Sequence, residues 1–362
     1  MKILHVESGR YLYGGARQVL YIMEGLHKAG HSNVLACPVG SDIGQAALQV
    51  AHVCEMKMNG DVDLGMVGRL QRVIRENQPD LVHLHSRRGA DLWGGVAALK
   101  AQVPCVLSRR VDNREPALWA QLKYRLFDRV IAISQGIRQV LMSEGIAPEH
   151  VVCVRSAVDA EPYLHEVDGR AFAREFGLPE GALVIGVIAQ LIERKGHRYL
   201  LEAMPAILQR YPQAQVLFLG KGPLREELGR LIEQKGLQGN VHLAGFRTDL
   251  PQWLGGLDLV VHPADMEGLG ISLLQAAAAA VPVIASDAGG LPEAVADRRT
   301  GLLFPPGDVQ ALAGAVLQLL DQPELRRQYG LAGRERILKE FSVEAMVQGN
   351  LRVYEQVLSG LK

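Results

Sequence analysis

The sequence predicts an α/β protein made of two parallel-sheet units that face each other across a cleft. Three observations carry that prediction. The chain has 362 residues, the length of two domains at roughly 100–200 residues each. Twice along it, a short apolar β-type run is followed by a glycine turn, a helix-period segment and another apolar run, the rhythm of a parallel α/β sheet. Between the two series, residues 160–183 loosen into a polar stretch holding Pro162, Gly169, Gly177, Pro179 and Gly181. The boundary is accordingly placed at 165/166. Residues 1–165 form an N-terminal domain, residues 166–341 a C-terminal one, and residues 342–362 cross back onto the first.

The first series opens with ILHV at residues 3–6 and stops at Ser8-Gly9. Gly14-Gly15 then lead into a helix over residues 16–29 carrying Val19, Leu20, Ile22, Met23 and Leu26, which Gly30 ends. Residues 34–36, 81–84, 105–108 and 130–133 read as buried strands, and residues 93–99 and 137–144 as helices. The second series opens with LVIGVIA at residues 183–189. Helices follow over residues 199–209, 224–235 and 271–280, with strands over 215–219, 240–243, 257–262 and 283–285. Past Phe341, Met346, Leu351, Val353, Tyr354 and Leu358 fall at helical spacing and predict a helix that packs on the first domain.

Composition excludes several function classes. The chain carries 39 basic and 39 acidic side chains, a net charge of zero, so it is not a general nucleic-acid binder, which needs a basic excess. Cys37, Cys54, Cys105 and Cys153 are scattered without a CxxC pair, which argues for buried thiols rather than a disulfide framework or a zinc site. The opening MKILHVESG has no signal-peptide core, and no stretch reaches the ~18 uninterrupted apolar residues of a membrane span. A cytoplasmic protein is expected, at most peripheral on the inner face of the membrane.

Four segments are more specific: GGARQVLYIMEGLHKAGH from Gly14, VIAISQGIRQVL from Val130, FLGKGPLREELGRLIEQKGLQGNVHLAGF from Phe218, and ADMEGLGISLLQAAAAAVPVIASDAGGLPEAV…TGLLFPPGD from Ala264. They resemble, in order and from Lys2 to about Phe341, the family-4 glycosyltransferases. That resemblance implies the GT-B fold, two Rossmann-like domains with parallel sheets facing across a cleft. It also implies transfer of a sugar from a nucleotide-diphosphate donor, usually with retention; beyond that donor substrate no cofactor is expected. The donor would bind mainly to the C-terminal domain and a glycan or lipid-linked acceptor mainly to the N-terminal one.

The residues support such chemistry physically. Glu267-Gly268-Leu269-Gly270 runs straight into a helix beginning at Ile271 and Ser272, and a glycine-lined helix N-terminus seats a diphosphate on free N–H groups. Lys195 supplies the full positive charge a departing diphosphate requires; read alone, it is equally a solvated loop lysine. By resemblance Glu267 holds donor sugar hydroxyls, Gln275 the ribose, Gly289-Gly290 lie along the donor, and Gly14-Gly15 approach donor phosphate or acceptor. His85 and Arg109 fall on the acceptor side.

Four positions depart from the family pattern. Gln275 stands where a second glutamate closes the Glu-x7-Glu signature, and Gln190 where an arginine is common before the KG element. Arg110 replaces a histidine that contacts the donor, and Ala280 replaces a glycine before the x-Pro-Val step. The last reads as a small helix-end adjustment. Arg110 and Gln190 read as a compensating pair, so Gln190→Arg should restore activity to an Arg110→Ala enzyme. Two other readings stay open: a nucleotide-sugar-binding relative without catalysis, and a sugar-nucleotide epimerase.

Other constellations carry less. His83-x-His85 places two imidazoles on one strand face; as half a metal site it lacks a third ligand offered by spacing, and it reads better as lining the cleft near the acceptor or as satisfying strand-end hydrogen bonds. Asp61-Val62-Asp63 spells a metal-binding DxD but reads as a solvated turn, and no metal is expected. From His83 to Arg129 the bases Arg87, Arg88, Lys100, Arg109, Arg110, Arg114, Lys123, Arg125 and Arg129 exceed Asp91, Asp112, Glu115 and Asp128, nine minus four giving +5. With Leu118, Trp119, Leu122, Tyr124, Leu126 and Phe127 interleaved, residues 109–129 suit an anionic membrane surface or a phosphorylated acceptor; the alternative is an amphipathic helix with its apolar side in the core. Together with the segment SRRVDNRE from Ser108, and by resemblance, this stretch leans the biology towards lipopolysaccharide or surface-polysaccharide assembly.

Overall fold

The computed structural model describes residues 1–85 and 89–360. The chain divides into two compact units, Met1–Ala157 with Val343–Lys362, and Val158–Ser342. The first contains β1 (Lys2–Val6), α1 (Gly14–Lys28), β2 (Ser32–Pro38), α2 (Asp42–Ala46), β3 (His52–Met56), α3 (Gly65–Asn77), β4 (Leu81–Leu84), α4 (Ala90–Ala101) and β5 (Cys105–Arg109). It continues with α5 (Ala117–Tyr124), β6 (Arg129–Ala132), α6 (Gln135–Ser143) and β7 (Val151–Cys153). The second contains α7 (Gly169–Phe176), β8 (Val184–Ile188), α8 (His197–Arg210), β9 (Gln215–Leu219), α9 (Arg225–Gln234), β10 (Val241–His242), α10 (Leu250–Trp253) and β11 (Leu259–His262). It ends with α11 (Ile271–Ala278), β12 (Val283–Ser286), α12 (Leu291–Ala294), β13 (Gly301–Phe304), α13 (Val309–Asp321) and α14 (Pro323–Glu340), before α15 (Val343–Leu358) returns to the first unit.

Each unit is built on one parallel sheet. The first has order β3-β2-β1-β4-β5-β6-β7, the second β10-β9-β8-β11-β12-β13. In both, the strand order reverses beside the first strand, between β1 and β4 and between β8 and β11. Ligands in open α/β sheets bind outside the carboxyl ends of the strands at such a switch point. The fold therefore marks residues after Val6 and Leu84 in one domain, and after Ile188 and His262 in the other.

Local chemistry fixes many of the ends. Ser134 caps α6 by accepting from Ile137 N at 3.1 Å, and Asp308 caps α13 by accepting from Ala311 N at 2.9 Å; each satisfies an N–H that the helix leaves free. The returning helix α15 buries Met346, Val347, Leu351, Val353 and Tyr354 against Ile3, Ile22, Leu26 and Ile131. Leu358, expected in that seam, is exposed at the helix end.

Two expectations need correction. The boundary falls at 157/158 rather than 165/166, because Val158 and Tyr163 join the second core and Val158 N donates to Phe341 O at 3.0 Å. The polar stretch that suggested a linker contains α7, whose Phe172 is buried in the same core. Ala280, read as a harmless adjustment, holds a left-handed backbone with φ 57°. A Cβ is unfavourable there, so Ala280→Gly should raise stability by about 0.5–1 kcal/mol in urea unfolding, after the extra entropy of the unfolded glycine chain. An unchanged midpoint would show that the turn carries no such cost.

Candidate active site

In the second domain the two switch-point loops touch through backbone. Lys195 closes a short 3-10 turn after β8, and Gly196 follows with φ 68°. An ideal Cβ on Gly196 would stand 1.9 Å from Pro263 O, so only glycine lets this loop lie on the one leaving β11. The contact brings Lys195 to Glu267. One carboxylate oxygen, Oε2, accepts from Lys195 Nζ and, at 3.1 Å, from His262 Nε2. The other, Oε1, accepts from Gly268 N at 3.1 Å. Burial works against the Glu267 anion, but the His262 hydrogen bond and the Lys195 ammonium outweigh it and hold the carboxyl well below the usual range.

The carboxylate stands beside the N-terminus of α11. Gly270 precedes that helix in a left-handed conformation and no side chain caps it, so the first N–H groups remain available to an anion. Ile271 and Ser272 on the first turn, and Gln275 at the start of the second, are half-buried. Gly268, Leu269 and Gly270 are buried, and the Leu269 side chain belongs to the core, leaving backbone alone for a ligand. Gly290 N donates to Glu267 O at 2.8 Å, and a Cβ on Gly290 would stand 2.0 Å from Gly268 O. Its close approach is thus to the Glu267 loop itself, while Gly289 is exposed beside it. Gln190 is exposed at the end of β8.

Sequence reasoning missed His262 and His197. Neither lies in a spacing that announces chemistry, though His262 ends an apolar strand as His85 follows one. His197, the first residue of α8, is buried with its ring edge-on to Phe218 at 4.9 Å, and neither ring nitrogen has a hydrogen-bond partner among the described residues. Burial, then the neighbouring His262 and Lys195 charges, lower it to about 4. An exposed histidine titrates near 6.5, so between these values the unfolded chain binds the extra proton and stability falls as pH drops from about 6.5 to 4. His197→Phe should lessen this loss by about 1.4 kcal/mol per pH unit. Urea unfolding at pH 7 and pH 5 measures it, and an equal slope in both proteins would assign the loss elsewhere.

In the first domain, α1 starts at Gly14 with no side-chain cap, and Gly14 and Gly15 are exposed. Arg110, just after β5, lies alongside: its Cδ would be 3.8 Å from a Cβ on Gly15. Burial lowers its guanidinium from 12.5 to about 10, partly offset by Glu7, and it stays cationic at neutral pH. A bare helix end with an adjacent cation is an anion seat.

Other expected positions turn inward. Arg109 is buried; it donates to Asn113 O and lies 3.7 Å from Glu115. His85 is 2% exposed and bonded to His5. Both side chains are enclosed within the first domain. Within the basic stretch, Lys123 is buried between Asp91 at 2.7 Å and Glu115 at 3.0 Å, so part of the counted excess is internal. Arg87 and Arg88 lie outside the described residues. Leu118, Trp119 and Leu122 of α5 are exposed together with Arg114 and Arg125, whereas Ala120, Tyr124 and Phe127 enter the core. Asp63 accepts from Arg69 and from Asn59 N, closing a turn. No helix among the described residues is long and apolar enough to cross a membrane.

Comparison with known proteins agrees with this arrangement. The family described as Glycosyl transferases group 1 matches residues 169–336, and that described as Glycosyltransferase Family 4 matches residues 13–162. The 2-deoxystreptamine glucosyltransferase of Streptomyces kanamyceticus is 32% identical over 304 residues, 76% of this chain and 77% of that protein. The lipopolysaccharide core biosynthesis mannosyltransferase LpsB of Rhizobium meliloti is 25% identical over 301 residues, 77% of this chain and 84% of that one. With three further curated relatives the shared stretch spans 49 to 63% of their length. The crystal structure of Anabaena HepE in complex with UDP superposes with a TM-score of 0.86 at 20% identity, covering 98% of this chain and all of the other. Matched along both sheets and across the Lys195–Glu267 region, the chain belongs to the family-4 glycosyltransferases, built on the GT-B fold of two Rossmann-like domains.

Proposed function

We propose that the protein transfers a hexose-type sugar, with retention, from a nucleotide-diphosphate donor to a glycan or lipid-linked acceptor in lipopolysaccharide or surface-polysaccharide assembly. The observation that carries this is the Lys195–Glu267 pair set against the uncapped N-terminus of α11. Lys195 and the helix N–H groups stabilise charge developing on the departing diphosphate. Glu267, with Oε2 held by two donors, offers its remaining lone pairs to sugar hydroxyls, and Gln275 bonds the ribose. Gln190 contributes from the end of β8. Arg110 and the Gly14-Gly15 helix end take a phosphate in the first domain. The acceptor attacks from the leaving-group side, so the reaction asks for no strong protein base. UDP in the HepE complex and the lipopolysaccharide core biosynthesis in the name of LpsB support the donor class and the setting.

The reaction runs without a resident metal or cofactor: turnover should survive a chelator, and loss with recovery on adding magnesium would refute this. The test of the whole reading is hydrolysis of a panel of nucleotide sugars by the purified protein. Turnover of one donor supports it. Stabilisation by a nucleotide diphosphate without turnover of any donor would favour the binding-only relative, which the uncharged Gln190 and Gln275 keep in view.

For the acceptor side, Leu118, Trp119 and Leu122, flanked by Arg114 and Arg125, lay α5 on an anionic membrane surface at the cytoplasmic face. Sedimentation with phosphatidylglycerol vesicles should weaken as salt rises and be lost in Leu118→Glu/Leu122→Glu. Absent binding, or binding indifferent to salt, would sink the membrane role.

A further inference from the structure

We propose that a buried hydrogen-bond relay running from Asn33 through His5 and His85 fixes the tautomer of His85 and so holds the Arg110 guanidinium beside the N-terminus of α1. His85 is then a positioning residue for that cation. The functional half rests on the reading of Arg110 as a phosphate ligand; the relay itself does not.

The polarity of the relay follows from its two ends. Asn33 on β2 is buried, and its Nδ2 donates to Met23 O and to Val50 O, both at 2.9 Å. Exchanging oxygen and nitrogen would set a carbonyl against two carbonyls, so the amide has one orientation. Its Oδ1 faces His5 Nε2 at 3.2 Å and can only accept. His5 therefore carries its proton on Nε2. Burial, opposed weakly by the Asn33 bond, lowers this histidine to about 4, so at neutral pH its Nδ1 is a bare lone pair. His85 Nε2 lies 2.9 Å from it and must be the donor. Burial likewise keeps His85 uncharged, which leaves its Nδ1 bare, 3.5 Å from Arg110 Nη2.

The opposite end imposes the same answer. A guanidinium has donors and no acceptor, so His85 Nδ1 must accept. One protonation pattern satisfies all three contacts; the other tautomer of His85 would point an N–H at the guanidinium and a lone pair at a lone pair. His83 walls the relay, its ring 3.8 Å from that of His85, with its own nitrogens on Tyr354 Oη at 2.6 Å and Ser108 Oγ at 2.8 Å.

The same three imidazoles could be read as a metal site, since their ligand atoms lie within 4.8 Å of one another. A zinc ion needs bare lone pairs at about 2.0–2.1 Å. Here the His5 lone pair is occupied by the His85 N–H, that of His85 faces a cation, and both nitrogens of His83 are bonded. The relay uses every group as it stands; a metal would have to displace them.

Long-range 1H–15N spectra of the histidine-labelled protein at pH 7.5 test the relay directly. His5 and His85 should both appear as neutral Nε2–H tautomers, unchanged by one equivalent of zinc. A Nδ1–H form or an imidazolium at either residue would overturn the proposal, as would zinc-dependent shifts of all three histidines. Two variants then test positioning. His85→Gln keeps a donor where Nε2 was and loses the acceptor at Nδ1, while His85→Asn can place an oxygen at the Nδ1 position. Arginine guanidinium spectra should show Arg110 held in the wild type and His85→Asn and freely rotating in His85→Gln; identical behaviour in both variants would refute the positioning role. In turnover assays His85→Gln should raise donor KM by about tenfold, the loss of one charge-assisted hydrogen bond, with recovery in His85→Asn. If the tautomers are as stated and Arg110→Ala leaves KM unchanged, the relay stands and the phosphate role of Arg110 falls.

Discussion

Lys195→Ala should lower kcat on the nucleotide-sugar donor by about 100- to 1,000-fold, the loss seen when one charge-stabilising donor is removed from a preorganised site. The effect belongs in kcat because charge builds on the diphosphate only as the glycosidic bond to it breaks. The fold should tolerate the change. Glu267 keeps the hydrogen bonds from His262 Nε2 and Gly268 N, so its charge is not left unsatisfied. Steady-state kinetics alongside a melting curve separate the two effects. A variant within threefold of wild-type turnover would remove Lys195 from the chemistry.

Gly196→Ala should act through stability first. The position holds φ 68°, and a Cβ there would collide with Pro263 O. A left-handed non-glycine residue costs about 1–2 kcal/mol, and forced displacement of packed backbone about 1–3 kcal/mol more. A combined loss of about 3 kcal/mol lowers the melting point of a domain this size by on the order of 6–12 °C. The same clash shifts Lys195 relative to Glu267, so turnover falls even below the melting transition. Calorimetry of the purified variant decides it; an unchanged transition would mean the two loops can part without cost.

Much of the architecture was legible because burial in a parallel sheet writes itself locally. Strand β9 at Gln215–Leu219 and strand β4 at Leu81–Leu84 are mainly apolar, broken only by Gln215 and His83, and they form where the pattern puts them. The returning helix was legible from the helical spacing of Met346, Val353 and Tyr354. Strands β3, β7 and β13 escaped notice: β3 carries exposed and half-buried positions at the sheet edge, and β7 is three residues long. Neither shape leaves a strong period.

The candidate site divides the same way. Glu267 and the glycine-led start of α11 stand out by residue type and order, whereas Lys195, by itself a loop lysine, is picked out by the family resemblance. Arg109 was misplaced because a basic residue after a strand looks alike whether it faces solvent or, as here, Glu115. His197 and His262 were invisible because a buried imidazole in an apolar run has no local signature.

The sequence by itself determined the alternating α/β plan, the uncapped glycine-led helix starts and the cations and carboxylate that serve them. Those are short-range properties, set by which residues neighbour each other along the chain. Tertiary structure alone decided that β8 lies beside β11 and β1 beside β4, because right-handed crossovers, not adjacent residues, choose strand neighbours. That choice brings Lys195 onto Glu267 and His5 onto His85. It thereby turns a half-read His-x-His into a closed relay and a lone loop lysine into half of an ion pair.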